Sequence, residues 1–191
     1  MRVIVILIAL LVGSATGLGL TWLASARSNG FGAVQVGAWT AWPRSGTSDA
    51  DPYARAVFAR SGQLPIERAD GLVFEATATD NGSAIDGRCE TRIAGRLPPA
   101  RLWTLTAYDT RGRLIDNSAE RYGFNSTEIV WNHDGTFEIT AAPRARSGNW
   151  LPTGDRDRIV LLLRLYDAPL GLASRSDQPL EMPSITQVNC P

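Results

Sequence analysis

From Val3 to Ala24 the chain runs without a charged side chain, opening on the densely apolar Val3-Ile4-Val5-Ile6-Leu7-Ile8-Ala9-Leu10-Leu11-Val12. A helix of that length spans about 33 Å at a rise of about 1.5 Å per residue, enough to cross a hydrocarbon core of about 30 Å. A core helix of a water-soluble protein seldom stays uncharged for so long. Two readings stay open. In the first, residues 1–26 are an uncleaved signal anchor. In the second, the apolar stretch ends near Val12, Gly13 to Gly19 form a weak helix, and Ala24-Ser25-Ala26 offers the small-x-small pattern of a signal-peptide cleavage site. Both carry the rest of the chain across a membrane. Arg2 on one side and Arg27 on the other give only a slight orientation bias, and the amino end is taken as cytoplasmic. The expectation is a single-pass inner-membrane protein with a linker over 27–32 and a periplasmic domain over 33–191.

The rest of the composition narrows the chemistry. The chain has 191 residues, which leaves room for one ordinary domain after the apolar segment. Its 19 basic and 19 acidic side chains cancel, so a basic face for nucleic acid is not expected. All the basic residues are Arg, which removes P-loop lysine and Schiff-base chemistry. One His (His133) and two Cys (Cys89 and Cys190) cannot assemble the usual zinc sets or a His-based triad. The aspartates near turns (Asp80, Asp86, Asp109, Asp116 and Asp134) match no calcium-loop spacing. No cofactor, no metal site and no catalytic residue is assigned.

Export changes how the cysteines read. In an oxidising compartment an even count points to a bridge, here Cys89 to Cys190. It would close a loop of about 100 residues and staple Ser184 to Asn189 against a strand beginning near Cys89. Two separately buried thiols are the alternative.

Past the linker the pattern is mostly period-2. Val34, Val36 and Ala38 alternate with Gln35, Gly37 and Trp39. Asp51, Pro52 and Gly62 mark the cap, first turn and end of one short helix. Short strands then follow at Leu72 to Ala78, Cys89 to Ile93 and Leu102 to Tyr108, parted by turn residues. Asp134-Gly135 suits a type I′ hairpin turn between Ile129-Val130-Trp131 and Phe137-Glu138-Ile139. Ile159 to Tyr166 is apolar enough for a central strand. These patterns predict an all-β fold, an antiparallel β-sandwich with one short accessory helix and the N-terminal transmembrane or signal helix. Ala141 to Arg158 reads as a long loop.

Trp103-Thr104-Leu105-Thr106-Ala107-Tyr108-Asp109, Arg121-Tyr122-Gly123, Asp134-Gly135, Asn149-Trp150-Leu151-Pro152, Arg164-Leu165-Tyr166 and Pro183-Ser184-Ile185, in that order, resemble the bacterial domain-of-unknown-function family 1214 over about Gly71 to Cys190. The resemblance implies a jelly-roll-like sandwich. It also implies a short, membrane-attached member of alphaproteobacterial type that lacks the companion domain of longer relatives, and no established activity.

Function must then come from sites. Arg164 interrupts an apolar strand and shares a face with Val160, Leu162 and Tyr166. Buried, it needs a carboxylate such as Asp109, Glu138 or Asp167, as a strut between sheets, or else an anionic ligand. Asn149 and Trp150, beside Arg144 and Arg146 in the long loop, are either a binding patch or an anchor for the loop itself. Arg121 joins Arg164, Tyr166, Asn149 and Trp150 as a binding candidate. Trp103, Tyr108, Tyr122 and Trp131 read as core packing, and His133 as a solvated turn residue. The leading expectation is a non-enzymatic module that binds an envelope protein or small ligand while tethered to the inner membrane. The rival is a periplasmic hydrolase of a saccharide or ester using an Asp/Glu pair.

Overall fold

The computed structural model describes residues 2–27, 32–61, 66, 70–168 and 180–190. Most of the expected linker and the helix-ending Gly62 lie outside the described residues.

Helix α1 (Arg2–Arg27) is continuous through Gly13, Gly17 and Gly19, and its Arg2–Leu23 stretch is long and apolar enough to cross a membrane while none of it is buried against the rest of the chain. Helix α2 (Pro52–Ser61) begins where the cap residues placed it, with the Arg55 N–H donating to the Asp51 carbonyl at 2.9 Å.

The remaining elements form two sheets. The larger, in the order β1-β2-β3-β9-β5-β6, is built from β1 (Val34–Val36), β2 (Trp39–Ala41), β3 (Gly71–Ala76), β9 (Ile159–Tyr166), β5 (Leu102–Asp109) and β6 (Gly123–Asn125). The smaller, in the order β10-β4-β7-β8, holds β10 (Ser184–Asn189), β4 (Glu90–Gly95), β7 (Phe137–Ala142) and β8 (Asn149–Pro152). The single run Val34 to Trp39 is in fact two strands, folded back at Gly37, whose φ of 58° suits glycine.

Alternation decides which face meets the other sheet. In β5 the buried set is Trp103, Leu105, Ala107 and Asp109, and in β9 the set facing the same way is Ile159, Leu161, Leu163 and Leu165, while Leu162 is buried on the opposite face. Opposite them Ile93, Phe137, Ile139, Leu151 and Ile185 come from the smaller sheet, and Trp39 and Phe74 complete the same core. Each such side chain contributes about 1.5–3 kcal/mol by leaving water. Strand β9 is central, paired with β3 on one side and β5 on the other.

Three expectations need correction. Ala141 to Arg158 is not one loop, because β8 lies within it and pairs with β7 in parallel, Ile139 opposite Asn149 and Ala142 opposite Pro152. The sandwich is therefore mixed at this one pair. The Ile129–Ile139 hairpin is reduced to a single bridge between Trp131 and Phe137. Its turn is not type I′, since Gly135 has a φ of 76° and Asp134 keeps a negative one. The Gly135 N–H bonds to the Asn132 carbonyl at 3.0 Å, the pattern of a type I turn followed by a left-handed glycine.

Cys89 and Cys190 form a disulfide across 101 residues, fixing the end of β10 to the start of β4. Strand β10 is held on its other edge as well: Asp80 donates its N–H to the Ile185 carbonyl at 3.0 Å and accepts from the Ile185 N–H at 2.9 Å.

Candidate functional site

The five candidate side chains fall into two groups. Arg121, Asn149 and Trp150 meet at the side where β6 and β8 are the outermost strands of their sheets. Arg164 and Tyr166 lie elsewhere, on the outer face of the larger sheet.

In the first group Asn149 is a clamp. It is 7% exposed, and its amide is fully used: Oδ1 accepts from the Val130 N–H at 2.8 Å, while Nδ2 donates to the Val130 and Glu138 carbonyls at 2.9 Å each. The half-buried Trp150 donates its indole N–H to the Ala142 carbonyl at 3.0 Å. Arg121 spans the gap between the sheets, bonding the Trp150 carbonyl at 3.1 Å and lying 5.2 Å from the centre of the Phe124 ring. Asn117 fixes the loop that carries Arg121 through bonds to its N–H and carbonyl at 3.0 Å each. Arg146 is not part of this patch, since its Nε turns to Glu90 beside the disulfide at 2.9 Å.

The second group corrects the reading of Arg164. The buried face of β9 is the purely apolar one, so Arg164 points away from the other sheet and is no strut between sheets. Its expected carboxylates are engaged elsewhere: Asp109 with Arg113 at 2.9 Å, Glu138 with Arg92 at 3.9 Å and Asp167 with Arg101 at 3.3 Å. Among the described residues no carboxylate reaches Arg164. It lies instead 5.8 Å from the centre of the Tyr108 ring, its Nη2 donating a long bond of 3.4 Å to the Tyr108 hydroxyl. Val73 and Thr104 flank it on the neighbouring strands, and Tyr166 follows on the same face, opposite Gly71 and Leu102. The result is a half-buried guanidinium on an aromatic plate, with Val73 and Thr104 beside it and Glu75 one pair further along the same face of β3. Such a group attracts carboxylate or phosphate oxygens. Tyr108 is thus a site residue that pattern reading assigned to the core. It faces outward with Thr104, which becomes visible only once Thr104 is known to pair with Arg164.

Trp131 and Tyr122 also depart from core packing, at 44% and 37% exposed, whereas Trp103 is buried as expected. His133 is exposed on its turn, as expected.

Four carboxylates sit below the usual range. A side-chain bond from Arg88 holds down Asp86, one from Arg146 holds down Glu90, the Arg113 backbone N–H leads for Asp109, and the Thr136 hydroxyl leads for Asp134. Each of the four is fixed as an anion that supports a turn or strand end. Among the described residues no buried side-chain polar atom lacks a partner, and no three His, Cys, Asp or Glu side chains converge as a metal site would need.

Comparison with known proteins adds architecture. A family model described as "Protein of unknown function (DUF1214)" matches residues 70–170. The VPA0106 protein from Vibrio parahaemolyticus is similar in structure, with a TM-score of 0.60 and 18% identity over 93% of this chain and 44% of that one. A putative uncharacterized protein from Burkholderia cenocepacia aligns at a TM-score of 0.43 and 20% identity, over 65% of this chain and 31% of that one. This chain therefore spans less than half the length of either solved structure. No curated protein matches it.

Proposed function

The chain belongs to the family of proteins of unknown function DUF1214, a membership that specifies a fold and no reaction, and on that basis we propose that it is a non-enzymatic module tethered by α1 to the inner membrane. In this reading residues 33–191 form a periplasmic sandwich that binds an acidic group of an envelope protein or ligand at Arg164 and Tyr108. The observation that carries it is Arg164, a half-buried cation with an aromatic support and no carboxylate partner among the described residues. The apolar helix and the disulfide support the placement, since a helix of that length and composition can span a bilayer and a bridge persists in an oxidising space.

The hydrolase reading is the weaker one. A glycosidase pair needs one carboxylic acid still protonated near neutrality, and Asp86, Glu90, Asp109 and Asp134, displaced in the opposite direction, do not suit that role, while no observation on the other carboxylates favours it.

The test places a photo-crosslinking side chain at Thr104, the strand neighbour of Arg164, in the full chain in its membrane. A discrete adduct in the otherwise unaltered protein, lost in Arg164→Met with the melting temperature kept, is the expected result. No adduct at Thr104, or one that survives Arg164→Met, overturns the assignment.

A further inference from the structure

Val130 and Trp131 form the most exposed apolar pair of the described sandwich, at 70% and 44%. They are held rather than loose. Asn149 clamps the Val130 backbone on both sides, Trp131 donates its indole N–H to the Ser126 carbonyl at 3.3 Å, and its ring stands edge-on to Trp103 and Phe137 at 6.1 and 5.7 Å.

Strand register shows where the pair points. Trp131 packs on Trp103, near the start of β5 and opposite Leu165 near the end of β9. Following the pairs across the sheet, Val34 lies opposite Ala41, Ala41 opposite Phe74, Phe74 opposite Leu163 and Leu163 opposite Leu105. Strand β1 then runs from the Leu105 row toward the Ala107 row, so the chain arriving from α1 enters at the Trp103 end. Arg27 and Val34 are seven residue steps apart, a reach of about 25 Å when fully extended. Strands β5 and β1 are four strand spacings apart, about 19 Å. The entry of α1 and the Val130–Trp131 tip thus occupy one end of the sandwich, within reach of one flat surface.

We infer that this end faces the bilayer and that Trp131 and Val130 dock into its interfacial layer beside the exit of α1. The inference rests on α1 lying in the membrane. A Trp with an apolar body and a polar N–H suits the headgroup boundary. Charge is not the driving term: at this end Arg96, bonded to the Asp134 carbonyl, lies near enough to the Asp134 carboxylate to be balanced by it, and Arg101 pairs with Asp167. Docking should therefore be equal on zwitterionic and anionic lipid.

The experiment uses the full chain in nanodiscs whose acyl chains are brominated near the interface, read by quenching of its six Trp residues. Comparison of the unaltered chain with Trp22→Phe and Trp131→Phe assigns the quenched emission. The expected result is that each variant loses about one tryptophan's share of it. In Val130→Asp the Trp131 share should fall while the Trp22 share stays. If Trp22→Phe lowers the quenched share and Trp131→Phe leaves it unchanged, α1 is embedded and the docking inference fails alone. If neither changes it, the anchor reading fails and docking falls with it. Quenching of Trp131 only with anionic lipid would overturn the uncharged mode of docking.

Discussion

Replacing Asn149 tests how β8, the outermost strand of the smaller sheet, is held, because its three hydrogen bonds link β8 to the Val130 segment and to β7. Asn149→Ala leaves the Val130 N–H and the carbonyls of Val130 and Glu138 without their partner. A hydrogen bond contributes about 0.5–1.5 kcal/mol net. The two Val130 groups can turn to water, which puts them at the low end, while the Glu138 carbonyl inside the sheet sits nearer the middle. The sum is about 2–3 kcal/mol, and for a domain of this size that corresponds to a fall of about 4–12 °C in Tm. Asn149→Asp is the sharper variant. It keeps the acceptor for the Val130 N–H but sets a carboxylate oxygen against two carbonyl oxygens, so it should destabilise more than alanine at neutral pH. Thermal melting of both proteins, with amide exchange at Val130, gives the readout. A loss under about 0.5 kcal/mol with unchanged exchange, or an aspartate milder than alanine, would refute the clamp as described.

Two further outcomes follow from the same structure. Cys89→Ser with Cys190→Ser should cost up to about 4.7 kcal/mol, the chain-entropy value for a loop of about 100 residues, measured by urea unfolding of both proteins. A loss below about 1 kcal/mol would show that β10 is held by Asp80 and its ladder with β4 rather than by the bridge. On pH, Asp86, Glu90, Asp109 and Asp134 have folded values below their unfolded ones, so their stabilisation is present above about pH 4 and is lost as pH falls through the lower folded values. Tm should be flat in these groups from pH 5 to 8 and drop below about pH 4, with a smaller drop in Asp109→Asn; an equal drop in that variant would remove Asp109 from the account.

Strand existence was legible wherever one face of a strand is apolar and the other mixed, as in β5, and the helix α2 was legible from its cap and proline. What sequence could not supply was partnership across the chain. Asn149 binds residues 19 and 11 positions away, and β8 pairs in parallel with the strand before it; neither relation leaves a local periodic trace. Arg164 is different, because its orientation could have been read. Of the two alternate sets in Ile159–Tyr166, only one is wholly apolar, and that set faces the core. Treating the whole run as buried on both faces turned an outward cation into an inward strut.

The same residues bear on what family resemblance transmits. Asn149-Trp150-Leu151-Pro152 carries part of the match, and its first three members are each occupied within the fold, since Asn149 clamps Val130, Trp150 ties to Ala142, and Leu151 fills the core. A motif so fully used by its own architecture passes on that architecture without passing on chemistry. Arg164 also lies in a matching stretch, yet among the described residues its only contacts of note are with Tyr108. The fold therefore accounts for Asn149 completely and for Arg164 only in part, and that difference, rather than membership itself, is the reason to look for a partner on the outer face of the larger sheet.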